Sequence, residues 1–328
     1  MQYEIDTPLS KLIDKVGLNT AVLSYKLCEE AISKIGLIDK KIKCGEFEFK
    51  KSLYYAANKK HLNFLNCEFA IRKEHGFKVA FLDEASLQKT YGITAPGAIL
   101  SQTGAQTNAY KFAHDLLQFC KKKGMDIYDR TAVVDIQHQH KSVLVTTANG
   151  NKIKTKKIIY ANGYEAVNYI EKKIVSLHST FATISEQNMP DVNLWKDEVL
   201  VWNTADPYLY VRSTKDKRII VGGRDEPYVN AHKSNALISS KSKKLKNDIE
   251  KLFPAIEYKP EFSWAGIFGS TKDGLPFIGS LPHKPNAYFA LGFGGNGITF
   301  SLMAAEIITN LITTGKSEYS NLFSFQRL

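Results

Sequence analysis

The chain is poor in cysteine, with four in 328 residues and no C-x-x-C pair, so neither a disulfide frame nor a zinc ribbon can be built from it. Cys28, Cys44, Cys67 and Cys120 stand far apart and read as unpaired thiols of a reducing compartment, so the expected location is the cytoplasm. No apolar stretch reaches the ~18 uninterrupted residues of a membrane span. The longest, residues 298–311, is broken by Ser301, Glu306 and Asn310. No basic segment and apolar core follow Met1, so no secretory leader is expected. Low-complexity tracts and internal repeats are absent. Acidic residues are outnumbered, 33 against 44 basic, for a net charge of +11. The lysine runs at residues 40–41, 121–123, 156–157 and 241–246 are scattered instead of forming one stripe interleaved with aromatics. That spread argues against a nucleic-acid partner and leaves a solvated basic surface that steers anions modestly. His138-Gln-His140 has a spacing that a metal could use, but it reads better as exposed strand or turn, and no metal site is expected.

A hydrophobic content of 44% with 11% aromatics fits a large globular enzyme, and the length supports two domains. Residues 10–38 carry Leu12, Ile13, Val16, Leu23, Leu27, Ile32 and Ile35 at helical spacing. The chain then reads as a strand over 52–57, a helix near 59–75, a short strand over 79–82, a helix near 84–91 and a turn at Ala95-Pro-Gly97. Residues 109–163 read as a helix followed by strands near Asp126 and over 132–137, 142–147 and 157–161. Residues 174–224 are strand-rich and suit an antiparallel sheet with one wet face. Residues 233–252 form a helix closed by Phe253-Pro254.

The most informative stretch is Tyr288-Phe-Ala-Leu-Gly-Phe-Gly-Gly-Asn-Gly-Ile-Thr-Phe300. It reads as a buried strand, a glycine-rich turn and an apolar helix, which aims free helix-start N–H groups at something negative. Taken literally it is G-x-G-x-x-G, but a dinucleotide fingerprint opens a βαβ unit with an acidic residue about 20 positions on. No second hydrophobic strand follows here. Upstream lies Trp264-Ala-Gly-Ile-Phe-Gly-Ser-Thr-Lys-Asp-Gly-Leu-Pro-Phe-Ile-Gly279.

This pair of segments closely resembles the C-terminal signature of FAD-dependent amine and amino-acid oxidoreductases, the D-amino-acid oxidase or glycine oxidase superfamily. In that family the second glycine turn faces the flavin ring. The resemblance implies flavin contacts at Gly274, Leu275, Pro276, Gly292, Gly294, Gly295, Asn296, Gly297, Ile298 and Thr299. Helix-start N–H groups suit the charge that gathers near N1 and the C2 carbonyl of a reduced flavin. Ile158-Ile-Tyr-Ala-Asn-Gly-Tyr164 resembles the family's cofactor-packing strand, which implicates Ala161 and Gly163. Asp129-Arg-Thr-Ala-Val-Val-Asp-Ile136 resembles its adenine-contacting segment, with Val133 at the matching position. Residues 104–122, with Phe112, Leu116, Leu117 and Phe119 on one face, resemble the helix leading into it. Each piece alone is what any α/β core contains; four in family order carry the resemblance.

The implied fold is α/β (α+β mixed): an FAD-binding Rossmann-like domain, incomplete here, into which an antiparallel-sheet substrate domain is inserted. The expected division is residues 98–170 and 263–328 for FAD, and residues 1–97 and 171–262 for substrate. The family's opening strand, G-x-G-x-x-G turn and helix are not found. Met1-Gln-Tyr-Glu-Ile-Asp-Thr-Pro-Leu resembles family sequence that follows them, so a chain lacking roughly 60–70 leading residues is expected.

The implied reaction is oxidation of a C–N bond, with a hydride equivalent passing to flavin and the imine then hydrolysed. Amino-acid oxidases of the family carry an arginine about two residues after an Ala-Gly pair, for the substrate carboxylate. Here Ala265-Gly266-Ile267 leads to Phe268, which favours an amine over a simple α-amino acid. The wording Tyr-Glu-x-Asp-Thr-Pro-Leu, with Gly-Gly-x-Asp-Glu-Pro at 222–227, looks nearest to the γ-glutamylputrescine oxidoreductase-like branch. Pocket candidates are Tyr208, Tyr210 and Arg212, alternating along one strand, with Phe268, His178 and Arg224 beside them. Tyr3, Glu4 and Asp6 approach the flavin in an intact relative but are expected at a ragged end here. The competing expectation is a non-enzymatic remnant, or half of a split flavoprotein, without stable FAD. An NAD-dependent dehydrogenase is disfavoured, because no complete βαβ unit is found.

Overall fold

A computed structural model describes residues 1–187 and 195–327. In chain order the first elements are α1 (Leu9–Val16), α2 (Leu18–Ile42), β1 (Glu48–Tyr55), α3 (Leu62–Glu74), β2 (Val79–Asp83), α4 (Glu84–Tyr91), β3 (Gly97–Gln106) and α5 (Ala109–Lys122). Then come β4 (Val133–His138), β5 (Val143–Thr147), β6 (Lys152–Thr155), β7 (Ile158–Tyr160), β8 (Val175–Ser185), β9 (Leu200–Asn203), β10 (Tyr210–Ser213) and β11 (Ile219–Pro227). The last are α6 (Ala231–Leu252), β12 (Pro260–Thr271), β13 (Phe277–Leu281), β14 (Lys284–Leu291) and α7 (Gly297–Thr314). The chain forms two compact units. The first is Met1–Ile32, Glu48–Gln106 and Leu177–Phe268; the second is Ser33–Phe47, Thr107–Ser176 and Gly269–Leu328.

The first unit is built on an eight-stranded sheet ordered β12-β8-β11-β10-β9-β1-β3-β2. Strand alternation sends Leu53, Tyr55, Val201, Val211 and Val221 to one face, where they pack with Leu87 and Tyr91 of α4 and Leu245, Ile249 and Leu252 of α6. Tyr54, Ile99 and Trp202 point the other way, with Leu65 of α3 and with Tyr208 and Tyr210. A sheet with one wet face was expected; helices on both sides make both faces apolar instead. The pairing is also not purely antiparallel, because β1 and β9 run parallel. Residues 98–106, expected with the nucleotide portion, belong here: β3 pairs with β1 from Ala98↔Tyr55 to Gln106↔Glu48. The residue 104–122 segment is therefore strand first, and its helix begins only at Ala109, where the Asn108 side chain accepts from the Lys111 N–H.

The single helix expected over residues 10–38 is two helices. Gly17 at φ 81 breaks it, a left-handed conformation that glycine adopts freely. The start of α1 is satisfied from a distance, since Glu68 of α3 accepts from the N–H groups of Leu9 at 2.8 Å and Ser10 at 2.9 Å. Glu68 is itself paired with fully buried Arg72, whose Nε donates to it at 2.8 Å. On its other side the Arg72 guanidinium lies 3.4 Å from Glu4. This ionic cluster fixes the first residues of the chain. Tyr3, Glu4 and Ile5 are buried, and the Tyr3 ring stacks on Phe77 at 5.2 Å. The ragged, disordered end expected there is overturned.

The second unit holds two three-stranded sheets, β13-β14-β7 and β4-β5-β6. β14 runs parallel to β7, with Phe289 opposite Tyr160 and their rings stacked at 4.5 Å. The strand expected near Asp126 does not form, and no strand pairs with that segment among the described residues. In α5, Phe112, Leu116 and Phe119 are half-buried and Leu117 is exposed, so the apolar face is only partly covered. α7 does meet the length and hydropathy of a membrane-crossing helix, with 18 residues and a mean hydropathy of 1.3. Its Phe300, Met303, Ala304, Ile307 and Ile308 are buried along one face, and 33% of the helix is buried.

Candidate functional site

In the second unit the two glycine segments lie side by side. β13 and β14 pair antiparallel with Phe277 opposite Leu291, so Gly274-Leu275-Pro276 and the turn from Gly292 onward leave the same end of the pair. The Gly294 N–H donates to the carbonyl of Gly269 at 2.9 Å. Gly292 sits at φ 76, and a Cβ there would come within 2.7 Å of Thr271 Cγ2, so both its conformation and its surroundings demand glycine. Thr271 organises the first loop: its hydroxyl accepts from the Gly274 N–H at 3.1 Å and donates to the Leu275 carbonyl at 2.8 Å. Asp273 accepts from the Leu275 N–H at 3.1 Å. Arg327 pairs with Asp273 at 3.0 Å and donates to the carbonyls of Pro276 at 3.0 Å and Leu275 at 3.2 Å.

The helix start that follows is electropositive and open. Asn296 caps α7 by position, but its side chain makes no cap hydrogen bond. The first intrahelical N–H bond is that of Phe300 to the Asn296 carbonyl, so the N–H groups of Gly297, Ile298 and Thr299 have no acceptor within the helix. A Cβ on Gly297 would meet nothing within 4 Å. Backbone donors, a helix dipole and a side-chain-free approach suit the electron-rich edge of a planar ring. The residues present therefore fit a flavin. Ala161 and Gly163 follow β7, and Gly292 follows β14. Both groups lie at the carboxyl ends of two parallel strands, where open α/β sheets bind ligands. Gly163 is exposed at φ 64. Val133 begins β4 and is exposed, in the other sheet of this unit.

In the first unit the pocket candidates gather on the Tyr54–Trp202 face of the sheet. Tyr54 and Trp202 stack at 3.9 Å, Trp202 meets Tyr208 edge-on at 6.0 Å, and Tyr208 and Tyr210 are 6.0 Å apart. Tyr208 precedes β10 instead of lying in it, and its hydroxyl donates to Asp6 at 3.1 Å. Burial, then the nearby charge of Asp6, holds the Tyr208 phenol well above its usual pKa. Tyr210 lies across Gly222, where a Cβ would fall 2.1 Å from its ring. Arg212 donates to the Ser213 carbonyl at 3.2 Å, and burial lowers its pKa. Phe268 stacks on His178 at 5.2 Å. Arg224 departs from the expected grouping. It turns to α6, where its Nε donates to Asp248 at 2.7 Å, and it lines a separate cavity of about 220 Å³ with Tyr55, Asn203 and Lys251.

The sequence reading missed Asp225. Burial foremost, with the charge of Asp6 adding to it, raises this carboxyl's pKa, while the Thr180 hydroxyl, His178 and Lys241 oppose the shift. The available signal was the Gly222-Gly223 pair inside an apolar strand, a mark of a bulge or of close backbone approach. Among the described residues no three His, Cys, Asp or Glu side chains gather to hold a metal, and His138 instead shares a hydrogen bond with the Tyr160 hydroxyl at 3.0 Å.

A strand-and-glycine-turn unit of this design, in a chain that also carries a large mixed sheet, points to the class of flavin-linked oxidoreductase folds. The family model described as FAD dependent oxidoreductase (DAO) matches residues 10–311, and the chain belongs to that family. Glycine oxidase of Bacillus subtilis is 23% identical over 233 residues, covering 70% of this chain and 60% of that protein. The γ-glutamylputrescine oxidoreductase of Escherichia coli K12 is 25% identical over 286 residues, 83% of this chain and 63% of the relative. The matched stretch thus spans less than two thirds of either relative. The crystal structure of glycine oxidase from Geobacillus kaustophilus superposes with a TM-score of 0.77 at 18% identity, covering 95% of this chain and 83% of that one. The mixed α/β, DAO-type fold is therefore shown.

Proposed function

We propose that this chain oxidises the C–N bond of an amine or amino acid with FAD as the acceptor. The observation that carries the reading is the adjacency of the Gly274–Pro276 loop and the Gly292–Thr299 turn, tied by the Gly294 to Gly269 hydrogen bond. FAD, when bound, supplies a two-electron acceptor for a hydride equivalent from the carbon beside nitrogen, leaving an imine that water hydrolyses. The Gly297, Ile298 and Thr299 N–H groups would donate to the ring edge where negative charge grows. Thr271, Asp273 and Arg327 hold the facing loop in shape. Ala161, Gly163 and Val133 would take the nucleotide portion. On the substrate side, Tyr208, Tyr210 and Phe268 offer an aromatic, water-excluding surface. Phe268, standing where family amino-acid oxidases use arginine, favours a small-molecule amine or a γ-glutamyl-polyamine-like compound over a simple α-amino acid.

The test is the visible spectrum of the purified chain. A yellow protein with a flavin absorbance band that bleaches under anaerobic addition of an amine supports the reading. Bleaching that survives Gly292→Ala sinks the assignment of the turn. A second reading has its own observation. The outer edge of β7 carries no strand among the described residues, and Ile159 on it is 49% exposed. A flavin site with an open sheet edge can depend on a further strand–turn–helix unit, in which case the chain alone is colourless and takes up FAD only when that unit is supplied.

A further inference from the structure

β11 contains an irregularity that re-aims one carboxylate. Its pairing with β8 runs from Ile220↔Ile184 to Gly223↔Phe181 and resumes at Glu226↔Ser179. Arg224 and Asp225 thus stand against the single residue Thr180, which is a β-bulge. Arg224, at φ 60, is the residue that absorbs the kink. One extra residue inverts the alternation of the strand. Arg224 and Glu226 both turn to α6, pairing with Asp248 and Lys241. Asp225 turns to the opposite face, where its charge is felt by Tyr208 and Tyr210 and where it neighbours Asp6 and His178.

There the Asp225 Oδ1 atom is buried and has no hydrogen-bond partner. A buried carboxylate oxygen left unpaired is costly, and a ligand that donates to it removes that cost. The aromatic rings beside it offer π faces, which attract cations. Asp6 adds a second negative charge to the same region, and Lys241, whose charge reaches Asp225, is itself held by Glu226 and the Arg224 carbonyl.

We propose that Asp225 is a specificity-determining residue that binds a second, non-reacting ammonium of the substrate, so that the preferred substrate class is a diamine or longer polyamine. The inference rests on the amine-oxidation reading, yet it concerns binding and can be tested without turnover. One ammonium proton satisfies Oδ1, the others remain for neighbouring acceptors, and the tyrosine faces enclose the charge.

The experiment is calorimetric titration of the whole chain with 1,4-diaminobutane, 4-amino-1-butanol and n-butylamine at neutral pH. The flavin absorbance of the same samples is recorded alongside. The diamine is expected to bind about tenfold or more tighter than either monoamine, as a charge-assisted hydrogen bond provides. Asp225→Asn is expected to abolish that preference. Equal affinities for the three compounds, no diamine binding, or a preference that survives Asp225→Asn each overturn the proposal. Should Asp225→Asn fail to fold, the comparison of the diamine with 4-amino-1-butanol on the unaltered chain decides alone. Colourless protein that still prefers the diamine would overturn flavin binding by the chain alone and leave this inference standing.

Discussion

The eight-stranded unit and the glycine-loop unit solve the burial problem differently. In the first, both sheet faces carry apolar side chains and both have neighbours, α4 and α6 on one side and α3 on the other. In the second, three-stranded sheets leave side chains of strand-forming type in water: Val134 of β4 is 63% exposed and Ile159 of β7 49%. The contrast indicates that apolar burial is concentrated in the eight-stranded sheet, whereas the unit bearing the candidate flavin loops leaves more strand-forming side chains exposed. Loops meant to receive a ligand commonly belong to the less stable part of a fold.

The comparison breaks most severely at Arg72. Removing that guanidinium leaves Glu4 and Glu68 buried without their cation, and Arg72→Ala is expected to cost about 3–5 kcal/mol in denaturant unfolding. A loss below about 1 kcal/mol would mean that the cluster is not what holds the first unit together. Next in size is Gly292→Ala, where positive φ and the approach of Thr271 together cost about 1–3 kcal/mol. Hydrogen exchange should report that loss in β13 and β14 and leave β1 and β3 protected; an even loss across both units would erase the distinction drawn here.

Glu68 sharpens the contrast through pH. Burial raises its carboxyl pKa, but Arg72 and the N–H of Ser10 outweigh that, so the folded value lies below the ordinary 4.5. A depressed acid stabilises the fold above its unfolded pKa, and the gain disappears as pH falls through the folded value. The stability gap between the native chain and Glu68→Gln should therefore be full at neutral pH and close below about pH 4. A gap that is constant from pH 7 to pH 3 contradicts the assignment. The smallest effect is expected at Ile159 on the β7 edge. Ile159→Thr should shift the midpoint of the chain alone by less than about 0.5 kcal/mol. A larger loss would show that the edge is already occupied.

Much of the second unit was legible because its glycines have physical duties that a sequence displays. A Gly-rich turn between an apolar run and an apolar helix has few structural readings, and the DAO-type segments fell in family order. Helix α4 over Glu84–Tyr91 was readable from its spacing, and Asp83 caps it. The first unit was harder. β3 hides because Ser101, Gln102, Thr103 and Gly104 lack strand-like apolar alternation, yet its carbonyls and N–H groups have β1 on one side and β2 on the other. Tertiary pairing overrides weak local propensity there. Residues 1–6 looked loose because their anchors, Arg72 and Ser101, are remote in sequence. Ser101 donates to Glu4 at 2.7 Å. Asp225 was missed for another reason: a bulge inverts facing, and strict alternation, applied without heeding the Gly222-Gly223 pair, assigns its side chain to the wrong side.

Arg327 stands far along the chain from the loop that it serves. Its guanidinium reaches Asp273 and the carbonyls of Leu275, Pro276 and Leu322. The tail is thereby a latch on the Asp-Gly-Leu-Pro bend. Lesions near residue 327 would surface as a loosened Asp273–Pro276 bend, and a screen that sorts variants by proximity along the chain would file them under the wrong cause.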